Sequence, residues 1–173
     1  MTMRLREIGR GKAWRLPLAA LLAVALLFAA AHWVAAYRAN QAAQAAAKSI
    51  ELASVTFPLH ASDDLRGMNV FLEVENPTSA AVEVTLSQAK ARGNEQPLGG
   101  LNWMGEPTFT LPGHDTKRAQ ARQTVWQSVF SSWQAEGVVN LAVEGTIKAS
   151  ADVLWVTAEH EQPFELSTDV HFF

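Results

Sequence analysis

Residues 69–86 read NVFLEVENPTSAAVEVTL. Val70, Leu72 and Val74 alternate with Phe71, Glu73 and Glu75; Val82, Val84 and Leu86 alternate with Glu83, Thr85 and Ser87. A period of two with one polar parity marks an antiparallel strand that has one face on a core and the other in water. Between the two runs, Pro77 fixes its own φ and the Asn76 side chain can satisfy nearby backbone, so Asn76-Pro77 is a turn motif. The stretch predicts two strands joined by a turn.

The same pattern recurs further along the chain. Val139, Leu141 and Val143 alternate with Asn140, Ala142 and Glu144. Phe164, Leu166, Val170 and Phe172 share one parity, with Glu165, Ser167, Asp169 and His171 on the other. Gly93-Asn94, Gly99-Gly100, Pro112-Gly113 and the region from Gly145 to Asp152 add turn signals. Strands of this kind predict a mainly β chain folded as an antiparallel β-sandwich, with no βαβ unit. One segment departs from the period. In TVWQSVFSSWQ, residues 124–134, Trp126, Phe130 and Trp133 fall at helical spacing. Thr124 is the expected cap and Gly137 the expected stop of a short amphipathic helix. That helix either covers one end of the sandwich or presents Trp126, Phe130 and Trp133 as a candidate partner surface.

The N-terminal part has a different character. Leu16 to Ala36, LPLAALLAVALLFAAAHWVAA, is 21 residues without a charge. At about 1.5 Å per residue it makes roughly 30 Å of helix, the thickness of a hydrocarbon core. Trp14 at one end, and Trp33 with Tyr37 at the other, are spaced as membrane-interface aromatics. Arg4, Arg6, Arg10, Lys12 and Arg15 precede the span against the single acid Glu7, which predicts a cytoplasmic N-terminus. The organisation expected is a basic cytoplasmic tail over 1–15, a transmembrane helix over 16–37, a helical stalk over 38–49 and an ectodomain over 50–173. The stalk, ANQAAQAAAK at 39–48, consists of strong helix formers without an evident apolar face. A cleaved secretory signal is the alternative, because Ala29-Ala30-Ala31 satisfies a small-x-small cleavage pattern. Against it, the apolar run continues past that site to Ala36.

Composition narrows the function classes. The chain has 173 residues, 49% hydrophobic and 18% charged, which excludes a disordered polyelectrolyte. The absence of Cys removes disulfides, thiolate metal sites and thiol nucleophiles together. From residue 39 onward eight Lys and Arg face sixteen Asp and Glu, so the body is acidic and offers no basic stripe for nucleic acid. His32, His60, His114, His160 and His171 include no pair at the i, i+4 spacing of a helical metal site. His160 lies between Glu159 and Glu161, but neighbours along a strand point to opposite faces. No G-x-S-x-G, phosphate-binding Gly loop or dinucleotide fingerprint occurs. Catalytic, cofactor-binding and metal sites are therefore expected to be none.

The strand, Asn76-Pro77-Thr78 turn and strand of residues 69–86 resemble the second group of late-embryogenesis-abundant proteins, the water-stress-and-hypersensitive-response (WHy) domain. Pro107 to Leu111 resembles that family's strand before its linker. VVNLAVEGTI at 138–147 is similar to its alternating strand running into a Gly, and Gln162-Pro163-Phe164 with Leu166 to its closing strand. The resemblance spans roughly 50–173. The apolar run Val153–Thr157 with Trp155 departs from it. The resemblance implies a seven-stranded, Ig-like sandwich with a short helix, used as a non-catalytic module and often carried behind an N-terminal anchor. It supplies no catalytic residue; Asn76 and Pro77 carry over only as turn formers.

The expectation is a single-pass protein of the cytoplasmic membrane, not an enzyme, with a periplasmic or extracellular β-sandwich. Its expected partners are the lipid bilayer and other membrane or extracytoplasmic proteins, with no nucleic acid and no small-molecule substrate. One alternative is a structural accessory subunit of a respiratory, photosynthetic or transport complex. The other is a stress-protective secreted protein with a cleaved signal peptide.

Overall fold

The computed structural model describes residues 15–58 and 62–172. Trp14, His60 and the cations Arg4 to Lys12 lie outside the described residues. Helix α1 runs unbroken over Arg15–Lys48. Nine strands follow: β1 Ile50–Thr56, β2 Leu65–Asn76, β3 Val82–Gly93, β4 Gln96–Gly100, β5 Asn102–Trp103, β6 Thr108–Leu111, β7 Asp115–Trp126, β8 Val138–Val153 and β9 Val156–His171. The second helix, α2, spans Gln127–Glu136 between β7 and β8.

One sheet has the order β1-β2-β7-β5, and the other β4-β3-β8-β9 with β6 on β3; every pairing is antiparallel. The chain is thus a mainly β, Ig-like sandwich with one short helix, preceded by a long apolar helix. Where the resemblance implied seven strands, short pieces (β4, β5 and β6) complete the sheet edges and bring the described total to nine.

The alternating residues pack as their parity requires. Val70, Leu72, Val74, Val82, Val84, Leu86, Val139, Leu141 and Val143 are all buried. They form one core with Phe130, Trp133, Ile147 and Phe164. Gly145, grouped with the turn signals, lies instead inside β8 opposite Phe164. A Cβ there would come within 2.7 Å of the Phe164 ring, so the glycine makes room for an inward aromatic on the neighbouring strand. Asn94 and Glu95, both at positive φ, form the tight β3–β4 turn. Pro163 is tolerated inside β9 because β9 is an edge strand with an open N–H side.

Two stretches differ from expectation. The apolar run Val153–Thr157 is the end of a long hairpin, with Leu154 and Trp155 as its loop and Val153 opposite Val156. The stalk is helical, but its alanines are not free. Ala35, Ala39, Ala42, Ala43, Ala46 and Ala47 are each 0–1% exposed, and α1 packs on β8 and β9. Positions 35, 39, 42, 43, 46 and 47 share one helical face. Methyl groups let the helix backbone approach the sheet closely, and this face continues the sandwich core instead of holding it away from the bilayer. Gln162 donates its Nε2–H to the Ala47 carbonyl at 2.8 Å, and Ser49 Oγ hydrogen-bonds the Glu75 backbone where the helix ends. Ala43→Leu is expected to overpack this seam and cost about 1–3 kcal/mol. A thermal melt of the detergent-solubilised chain, followed by circular dichroism, checks it; an unchanged midpoint would contradict a close-packed seam.

Candidate interaction surface

The Trp126, Phe130 and Trp133 constellation is divided by the fold. Helix α2 starts at Gln127, so Thr124 stays in β7 opposite Gly67 and is not its cap; Trp126 takes the cap position without a side-chain bond. Gly137 ends the helix in the left-handed conformation, its N–H donating to the Trp133 and Gln134 carbonyls, as the glycine signal predicted. Phe130 and Trp133 point into the core, packed in an aromatic cluster with Phe57 and Phe172 at centroid distances of 5.1–6.2 Å. The Arg66 guanidinium lies 4.6 Å above Phe130. Trp126 remains 63% exposed. The helix is therefore a plug over one end of the sandwich, and Phe130 and Trp133 are withdrawn from any partner surface.

Asn76 and Pro77 sit at the opposite end, and Asn76 does more than form its own turn. Fully buried at the end of β2, its Nδ2 donates to the carbonyls of Ala80 (2.7 Å), Leu111 (3.2 Å) and Pro112 (3.0 Å). Its Oδ1 accepts from the Thr78 N–H at 3.1 Å and from Thr78 Oγ1 at 2.8 Å. One amide side chain thus ties the β2–β3 turn to the β6–β7 turn. His114 adds a backbone N–H to the Thr78 carbonyl at 2.9 Å. The cross-link to residues 111 and 112 had no signal in the sequence, because it joins positions 35 and 36 residues away.

These turns, α1 and the β8–β9 tip enclose an open groove of about 1120 Å³. Its walls include Leu27, Val34 and Arg38 of α1, His114 of the β6–β7 turn, and Asp152 and Leu154 at the β8–β9 tip. Asp152 Oδ1 accepts from Thr157 Oγ1 at 2.5 Å. Thr78, Ser79 and His114 line the groove, the Thr78 hydroxyl donating to Asn76 Oδ1, and no group of three or more His, Asp or Glu that could hold a metal occurs among the described residues. Elsewhere, charges are spread over the outer faces of the sheets: Arg118 pairs with Glu73, Arg92 with Glu165 and Glu144, and Lys148 with Glu159. The hydrogen bond and the charge of Glu159 hold the Lys148 ammonium above its ordinary pKa.

The expected interface aromatics Trp33 and Tyr37 stack on each other at 6.0 Å and are exposed. The aromatic that the sequence reading did not assign to this group is Trp155. Its ring stacks on Phe28 at 5.2 Å with an interplanar angle of 2°, and its Nε1–H donates to His32 Nδ1 at 3.1 Å. Above the sandwich, the apolar side chains of α1 are largely uncovered: Leu22, Leu26, Leu27 and Phe28 are 57–71% exposed. The helix is long and apolar enough to cross a membrane, and its apolar stretch is almost wholly unburied.

No protein-family model matches the chain, and no curated protein matches it. Some solved structures are distantly similar to it. A protein from Arabidopsis thaliana, determined in solution, is 13% identical over 71% of this chain and 80% of its own, with a TM-score of 0.45. The PapD-like domain of human CEP192 is 13% identical over 70% and 84%, with a TM-score of 0.35. AggA, the major subunit of aggregative adherence fimbriae of Escherichia coli, is 8% identical over 68% and 93%, with a TM-score of 0.30.

Proposed function

We propose that the chain is a membrane-anchored, non-catalytic β-sandwich that binds or stabilises other proteins on the extracytoplasmic side. The observation that carries this reading is the continuity of α1. A single helix presents an unburied apolar surface over its first half and a buried alanine face over its second. An apolar helix of this length is not a core helix, since its apolar stretch is almost wholly unburied; it needs lipid around it. The alanine seam fuses that anchor to the sandwich, so the domain is held close to the bilayer surface. The basic residues ahead of the span support an inside N-terminus and a sandwich on the far side. Kinship with the WHy domains belongs to the same proposal, and the buried Asn76 in the Asn-Pro turn supports it.

Purification of the tagged full-length chain in mild detergent, with sizing and mass spectrometry of the eluate, tests this reading. A chain that retains its apolar segment and elutes with a second protein in fixed ratio is the expected result. If that protein is an integral-membrane complex, the chain acts as its accessory subunit. A lone species would overturn partner binding, and a mature N-terminus at His32 would overturn the anchor.

A further inference from the structure

The β8–β9 hairpin closes on a loop that turn chemistry disfavours. Two-residue hairpin loops usually place Gly, Asn or Asp where φ is positive. Here that residue is Leu154, at φ +57°, followed by Trp155. Among the described residues of the sandwich, Leu154 is the most exposed large apolar side chain at 75%, and Trp155 beside it is 53% exposed. A bulky apolar side chain in the left-handed region costs stability, and exposing it to water adds no compensation. Its surroundings supply the compensation. Trp155 is stacked on Phe28 and hydrogen-bonded to His32, both on the apolar half of α1. With about 1.5 Å of rise per residue, His32 lies roughly 6 Å and Phe28 roughly 12 Å inside the outer end of the span at Ala36. Trp33, exposed and stacked on Tyr37, stands at the same level.

We infer that the β8–β9 tip, Leu154 with Trp155, inserts into the outer headgroup–acyl boundary of the bilayer beside α1, as a second membrane contact that fixes the depth and tilt of the sandwich. The inference rests on α1 being a retained span. Lipid is the occupant because the tip is laterally continuous with the exposed apolar surface of that helix. Tryptophan at this depth matches the interfacial preference of an amphipathic ring. Asp152, two residues before Leu154, accepts a hydrogen bond from Thr157 on the facing strand.

The chain contains no Cys, so single-Cys labelling needs no background removal. Leu154→Cys, Leu22→Cys and Ala135→Cys variants of the full chain, each carrying an environment-sensitive fluorophore, are reconstituted into phosphatidylcholine–phosphatidylglycerol vesicles. The vesicles contain lipids spin-labelled at shallow or deep acyl positions. Ala135 is on α2, beyond the far end of the roughly 50 Å hairpin. Leu154 should be quenched best by the shallow label, Leu22 best by the deep label, and Ala135 by neither. Quenching at Leu22 with none at Leu154 overturns the inference and leaves the anchor standing. Absence of quenching at Leu22 overturns both. Shielding at Leu154 that grows with protein density, without lipid quenching, assigns the tip to a second copy and likewise overturns insertion.

Discussion

Trp133→Ala is expected to destabilise the sandwich by about 3–5 kcal/mol, whereas Trp126→Ala should change its stability by no more than about 0.5 kcal/mol. The two tryptophans are seven residues apart, Trp126 ending β7 and Trp133 inside α2, and their side chains have opposite fates. Trp133 is 2% exposed and fills the space above Gly93, where an added Cβ would come within 2.4 Å of its ring. It also packs at 6.2 Å from Phe57. Truncation leaves a cavity in a cluster whose other members are rigid rings, so relaxation into it is limited. Trp126 is 63% exposed, and its removal leaves the core untouched. A domain of this size has a total stability of about 5–15 kcal/mol, so the Trp133 variant loses a large share of it. Urea unfolding in detergent micelles, followed by far-ultraviolet circular dichroism, measures both. Similar losses for the two variants would show that Trp126 is also core.

The second large effect is expected at Asn76. Asn76→Ala should cost about 3 kcal/mol, because it strands the Leu111 and Pro112 carbonyls and the Thr78 N–H away from their common partner. Asn76→Asp tests the same site by charge alone. The near-isosteric carboxylate would face three carbonyl oxygens that now accept from an amide, so the folded state favours the neutral acid and raises its pKa. For a raised folded-state pKa, the penalty is smallest below the unfolded value and grows as pH rises through the folded one. Unfolding midpoints of Asn76→Asp should therefore rise toward acid pH relative to those of the parent chain. A pH-independent difference would show that the turn opens to water around the new carboxylate.

These two sites also show what was legible in advance. The parity of Val70 to Val74 and Val82 to Val84 was readable because large apolar residues on one face announce a core. Strand β7 was not, although it pairs with β2 along twelve positions. Its inward residues are mostly small, such as Ala119 and Ala121, among Lys117, Arg118 and Arg122, so no hydrophobic alternation stands out. The alanine face of α1 was missed for the same reason, since methyl groups look neutral in a sequence but seal a seam when a sheet comes close. Helical spacing placed Trp126 with Phe130 and Trp133, yet the strand continues to Trp126 and turns its side chain away from the other two.

The sequence by itself determined the period of the strands, the Asn76-Pro77 turn, the stop at Gly137 and the apolar N-terminal helix. Each is a local property, set by side-chain size, φ preference or hydropathy along a few neighbouring residues. Only the tertiary structure decided that Asn76 cross-links two distant turns, that one alanine face of residues 39–48 belongs to the core, and that Trp155 meets Phe28 and His32 across more than a hundred residues of chain. Those contacts depend on the register of the β8–β9 hairpin, whose two strands have 16 residues each, and on its packing along α1. Register and packing are chosen by all the core residues together, and no local stretch of chain encodes them.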